Sequence, residues 1–265
     1  MDRLCFVSSM FIVAAAGVGW SSSTTANATD FHVENKVYRA DEKEPFNQTT
    51  TLFRAGLVYD FVVTDDQVEE ATVFDRARGR FVMLDAKRRL KTEISTADVK
   101  DFGKRVREQA AGHKEPLLQF MANPRFAEKK SDDDGSLELS SDWLTYRLKT
   151  TPARSPEAAE QYGEFAHWYA QLNAMMNPGS LPPFGRLFVN EVLETRGLLP
   201  VEVQMTLFPK ESARKQVVLR AEHRLQWTLL ESDRQRIDEF GKQLATFRAV
   251  NLDEYRRRAT EEARR

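Results

Sequence analysis

The stretch VVLRAEHRLQWTL at residues 217–229 decides the fold class. Its apolar and polar side chains alternate, and a period of two is typical of a β-strand with one buried face. The inward face is predicted to carry Val217, Leu219, Ala221, His223, Leu225, Trp227 and Leu229. At about 3.3 Å per residue the strand would be about 40 Å long. A strand of that length does not fit a small flat sheet, so we expect the sheet to bend or coil.

Earlier segments show the same alternation and predict further strands. The clearest lie at residues 57–63, 81–84, 90–94 and 201–207, and 137–148 has the pattern of a hairpin. Short polar turns separate neighbouring strands, which favours antiparallel pairing. The predicted fold class is therefore α+β: a large curved antiparallel β-sheet, half-barrel-like, packed against and capped by α-helices.

Capping signals place the helices. Ser95 or Thr96 precedes an amphipathic segment that Gly112 ends, and Ser155 stands before Pro156, a residue suited to the first helical turn. The segment 156–196 is predicted to form a helical cap over the sheet, with the apolar loop 181–184 as a lid. A Ser232-x-x-Gln235 capping box is predicted to start the last helix.

The first 28 residues have the three parts of a secretory signal peptide. Arg3 precedes an apolar run, and Ala26-Asn27-Ala28 provides an A-x-A cleavage site. A retained anchor helix is the alternative. The remaining chain divides into an extended lead-in at 29–48, a single domain at 49–250 and a charged tail at 251–265. We therefore expect a periplasmic or extracellular protein without an integral membrane span after cleavage.

Composition and motifs exclude several function classes. The 39 Lys and Arg residues balance 40 Asp and Glu residues, so no basic field indicates a nucleic-acid partner. The four histidines are scattered and Cys5, the one cysteine, lies in the leader, so no metal site is expected. Neither a nucleophile elbow nor a phosphate-binding glycine loop is present. The prediction is no cofactor, no metal and no catalytic residue.

The candidate site is an apolar ligand site between sheet and cap. His223 stands out because burial on an apolar strand face should lower its pKa. The competing interpretation of His223 is a core histidine that bonds a neighbouring group. The competing interpretation of the aromatic cap residues is that they only pack the cap onto the sheet. The predicted ligand-binding residues are Val203, Met205, Leu219, His223, Leu225, Trp227, Trp168 and Phe184.

The hairpin VFDRARGRFVMLD at residues 73–85 is typical of exported bacterial proteins. Together with the leader, the long sheet and the helical cap, it resembles the outer-membrane lipoprotein carrier (LolA/LolB-like) superfamily. That resemblance covers 49–94 and 201–247 as a pattern without a specific motif, so it assigns no functional residue. It implies a half-open barrel that holds acyl chains under a helical lid. A separate, uncharacterised exported family is the alternative.

Three functions follow in order of preference. The first is an exported, non-catalytic binding or carrier protein for a lipid or other apolar ligand. The second is a cell-envelope interaction or structural protein with a solid core, no ligand and a protein partner. The third is an enzyme in which Asp60, Asp85 or Glu222 acts with His223, although no residue spacing demands it.

Overall fold

The computed structural model describes residues 30–65, 67–131, 135–208 and 216–256. The predicted signal peptide and the end of the charged tail lie outside these ranges. The strands are β1 (Phe31–Arg39), β2 (Asn47–Arg54), β3 (Leu57–Thr64), β4 (Gln67–Asp75), β5 (Arg80–Asp85), β6 (Leu90–Ser95), β7 (Ala127–Lys130), β8 (Leu137–Ser140), β9 (Leu144–Pro152), β10 (Leu198–Leu207), β11 (Val217–Gln226) and β12 (Arg248–Ala249). The helices are α1 (Thr96–Ala111), α2 (Pro116–Ala122), α3 (Pro156–Met176), α4 (Phe184–Thr195) and α5 (Glu231–Thr246), and a helical turn follows at 252–256.

All twelve strands belong to one curved, unclosed sheet with the order β12-β6-β5-β4-β3-β2-β1-β11-β10-β9-β8-β7. Two antiparallel meanders, β1 to β6 and β7 to β11, are joined where β1 pairs with β11, from His32 opposite Gln226 to Arg39 opposite Leu219. Only the short β12 runs parallel to its neighbour. The predicted α+β fold with a large antiparallel sheet is confirmed.

The two faces of the sheet carry different helices. We call the face covered by α3 and α4 the inner face and the opposite one the outer face. Helix α3 packs over β1 to β6 and α4 packs over β8 to β10, each above its own buried cluster, while α5 lies on the outer face of β2 to β5. Ser95 and Ser155 cap α1 and α3 as their sequence context predicts, each accepting a backbone N–H bond.

The expected lead-in at 29–48 differs from the structure, because Phe31–Arg39 is the strand β1 in the middle of the sheet. Phe31, His32 and Val33 are buried in succession since both faces of β1 are covered. The cluster under α3 covers Phe31 and Val33, and α5 covers His32. Phe31, Val33 and Val37 alternate with polar residues, but Asn35 stands at one of the apolar positions, so the period of two is too short to stand out in the sequence.

The predicted long strand ends sooner than expected. Strand β11 stops at Gln226, the chain bends at 227–228, and Leu229 packs with Phe240 and Phe247 in the outer cluster. The start of α5 also differs from its prediction. The helix begins at Glu231 with Leu230 as its N-cap, where Ser232 was predicted, and the carboxylate of Asp233 accepts the N–H of Leu230 at 2.8 Å.

Candidate ligand-binding site

The inner face of β11 is less covered than the strands around it. Leu219, Ala221, His223 and Leu225 are all partly exposed, although β11 is a central strand. We call these four residues the β11 strip. The strip lies between the two inner clusters, since Leu225 packs against the one under α3 and Ala221 against the one under α4.

The structure distributes the predicted site residues over both inner clusters. Trp168 and Trp227 pack against the cluster under α3. Val203 is part of the cluster under α4, and Met205 packs against that cluster. Leu219 and His223 belong to neither cluster, so these two residues mark the gap. Of the eight predicted residues, Phe184 stands apart.

Phe184 is the first residue of α4, and its ring lies 3.8 Å from the guanidinium carbon of Arg107 on α1. Pro182, Pro183 and Phe184 are all buried. The loop 181–184 is therefore packed into the helical layer, and the free lid expected from its sequence is not what the structure shows.

His223 is held neutral by its surroundings. Burial lowers the pKa of the imidazole to about 3, and the positive charge of Arg186 acts in the same direction, while a hydrogen bond with the backbone of Val201 opposes it. The Nδ1 atom is buried and has no hydrogen-bond partner among the described residues. His223 thus brings an unpaired polar atom into the apolar strip.

A polar band crosses the inner face and reaches His223. The carboxyl of Asp60 accepts hydrogen bonds from the hydroxyls of Thr51 at 2.6 Å and Tyr169 at 2.7 Å. The amide of Asn35 donates to Thr51 at 3.2 Å, and Asn35 stands opposite His223 in the β1–β11 pairing. Burial raises the pKa of Asp60, and the hydrogen bonds from Thr51 and Tyr169 oppose that rise.

Arg186 on α4 is the site residue that sequence reasoning missed. Its positive charge acts to lower the pKa of Tyr146 on β9, Tyr162 on α3 and His223 on β11. Within the described ranges, no carboxylate forms an ion pair with it. A signal was available, because Arg186 stands three and four residues before the buried Val189 and Asn190 on an amphipathic helix.

The carboxylates considered for an enzyme make other contacts. Glu222 lies on the outer face, where it accepts the hydroxyl of Tyr38 at 3.2 Å and also binds Arg220. Asp85 pairs with Arg88 at 2.7 Å. The part of the chain that the structure describes contains no cluster of His, Cys, Asp and Glu suited to a metal ion.

Three cavities lie away from the predicted residues. One of about 410 Å³ is bounded by β6, α1 and residues 251–253 and is lined mainly by charged side chains. A second, of about 160 Å³, lies between the β2–β3 turn and the start of α3. The third is a narrow crevice between α3 and α4, and Tyr162, Asn190 and Glu194 are among the residues that line it.

Comparison with known proteins adds little to this geometry. No family model and no curated protein sequence matches the chain. Among solved structures, the chain is similar to the LolA superfamily protein NE2245 from Nitrosomonas europaea, with 7% identity and a TM-score of 0.28 over 78% of this chain and 89% of that one. A likeness at that level carries no argument about function. No described helix has the length and apolar character needed to cross a membrane.

Proposed function

We propose that the protein is an exported, non-catalytic binding or carrier protein that holds a lipid or other apolar small molecule on the inner face of its sheet. The observation that carries the proposal is the β11 strip, which leaves apolar side chains partly exposed in the middle of a twelve-stranded sheet. Export is inferred from the leader-like sequence of residues 1–28.

The strip offers enough surface for useful affinity. From Leu219 to Leu225 it extends about 20 Å along the strand, at about 3.3 Å per residue. Each methylene group that a ligand buries there contributes about 0.8 kcal/mol. A single alkyl chain lying along the strip therefore supplies a favourable free energy without any polar contact, provided that the helical layer admits it.

The first experiment identifies the cargo. The chain is produced in a host that exports it, purified without detergent, and weighed in native and denatured form by mass spectrometry. The proposal expects extra mass in the native form that extracts into organic solvent. Recovery of the bare polypeptide, together with no binding of added decanol, decanoate or decyl phosphate by the purified protein, would contradict it.

A matched pair of variants then locates the binding site. Ala221→Trp places a large side chain on the strip, so binding of decanol should be lost. Arg224→Trp places the same side chain on the exposed outer face of the same strand and should leave binding unchanged. Thermal unfolding of both variants checks that each remains folded. Equal binding by the two variants would place the ligand elsewhere.

A second candidate function is a cell-envelope interaction protein with a solid core. One observation favours it: Phe46, Phe208 and Val217 are exposed at the same end of the sheet, beside β2, β10 and β11, with β1 between β2 and β11. Exposed large apolar side chains that share one end of a sheet are typical of contact surfaces. In that case Phe208→Ser should weaken crosslinking to a neighbouring envelope protein, and Ala221→Trp should not.

A further inference from the structure

A group of polar side chains beside the β11 strip is incompletely paired. Asn190 on α4 is only 3% exposed, and neither its amide nitrogen nor its amide oxygen has a partner among the described residues. Arg186 stands one helical turn before Asn190, so the two side chains share a face of α4. We call Arg186 and Asn190 the α4 polar cluster.

The turn of α4 that carries this cluster packs closely against α3 and the sheet. Tyr162 and Asn190 line the same crevice between α3 and α4. A Cβ atom added to Gly185, the neighbour of Arg186, would lie 3.3 Å from the hydroxyl of Tyr146 on β9, which shows how closely this turn of α4 approaches the sheet. His223 presents its buried, unpartnered Nδ1 atom on the inner face of the same sheet.

The chemistry of this cluster suits an anion. A guanidinium donates two parallel N–H bonds to a carboxylate or a phosphate, and a carboxamide nitrogen donates further bonds. Buried polar groups without partners are costly, which favours a ligand that supplies the missing acceptor. Among the described residues, no acidic side chain forms an ion pair with Arg186, and the carboxylate of Glu194, which also lines the crevice, lies against Gly163 of α3.

We propose that Arg186 and Asn190 form a headgroup site for a single-chain anionic amphiphile, whose carboxylate or phosphate they bind while its alkyl chain lies on the β11 strip. This inference rests on the proposed function, since the strip must accept the chain. It adds the ligand class: a fatty acid or an alkyl phosphate rather than a neutral lipid.

The test compares four probes of matched chemistry, measured by calorimetry on the delipidated full chain. Decanoate and decyl phosphate carry the two anionic headgroups, decanol carries the same chain without charge, and inorganic phosphate lacks the chain. We expect at least one anionic amphiphile to bind about tenfold or more tightly than decanol, as charged hydrogen bonds are among the stronger ones. Tighter binding of decanoate would indicate a fatty acid as the ligand, and tighter binding of decyl phosphate would indicate a phosphate ester.

Variants assign the preference to the cluster. Arg186→Met should bring the anionic amphiphiles to the affinity of decanol, and Arg186→Lys should retain part of the preference because it keeps the charge without the two-pronged geometry. Arg224→Gln removes a cation from the outer face of β11 and is the matched control, which should bind like the wild type.

Each result has a distinct meaning. If decanol binds as tightly as both anions, the headgroup site is wrong while the carrier function stands. If no probe with an alkyl chain binds, both proposals fail. If inorganic phosphate binds as tightly as decyl phosphate, the chain has no role and the amphiphile is the wrong ligand. The wild-type comparison needs no variant, so a poorly folded Arg186→Met protein does not prevent a decision.

Discussion

Replacing Asp233 by alanine should detach the start of α5 from the sheet. Asp233 is completely buried, and its Oδ2 atom receives the N–H of Leu230 at 2.8 Å and lies 2.8 Å from Nδ1 of His32, which is 2% exposed. The same carboxylate therefore caps α5 and binds it to β1. The Asp233→Ala variant loses both contacts.

The magnitude follows from the two contacts. Loss of a helix cap costs about 1 kcal/mol. A buried imidazole left without its partner costs about 1–3 kcal/mol more. The free energy of unfolding should therefore fall by about 2–4 kcal/mol in total. Urea denaturation measures this change, and faster amide exchange in residues 237–246 would show that α5 opens first.

Ser232 provides the control, since its sequence context predicts a capping box and the structure instead leaves it exposed in the first turn. Ser232→Ala should change the free energy of unfolding by no more than about 0.5 kcal/mol. The reasoning would be refuted by a loss below about 1 kcal/mol in Asp233→Ala or by equal losses in the two variants.

Two further predictions concern pH. Burial raises the pKa of Asp60 in the folded state, so the wild type should lose stability relative to Asp60→Asn as the pH rises above about 4, the value for an unfolded aspartate. Urea titrations of both proteins at about pH 4 and about pH 8 measure the change, and a pH-independent difference would be inconsistent with a raised pKa. Burial and the charge of Arg186 lower the pKa of His223 to about 3, so its imidazole NMR signals should not shift between about pH 7 and about pH 5. The unfolded chain binds that proton below about pH 6.5, so the wild type should also lose stability relative to His223→Gln as the pH falls, and a titration of His223 near pH 6.5 would contradict its burial.

Much of the fold could be predicted because local rules and tertiary structure agree. The alternation at residues 217–226 is that of β11, and Ser95 and Ser155 cap the helices that follow them. The alternation depends only on which face of the strand each residue occupies. Each cap depends on a hydrogen bond from a backbone N–H three residues further along the chain. Such features are encoded within a few residues of sequence.

The candidate site was only partly predictable. His223 and Leu219 could be placed on the inner face from the period of two, and the structure leaves both in the gap between the inner clusters. Arg186 and Asn190 were missed because nothing in their own segment shows that no carboxylate will meet the guanidinium or that the amide will be buried unpaired. The partners of Arg186 and the burial of Asn190 both depend on which elements pack against α4.

The sequence by itself determined the fold class, most of the strands and the start of two helices, because periodicity and capping act over short distances along the chain. Only the tertiary structure decided that Phe31–Arg39 joins the two meanders, that α5 packs on the outer face through Asp233, and that the charge of Arg186 lowers the pKa of His223. Each of these depends on a contact between segments far apart in sequence. A residue's own neighbours along the chain carry no information about such a contact.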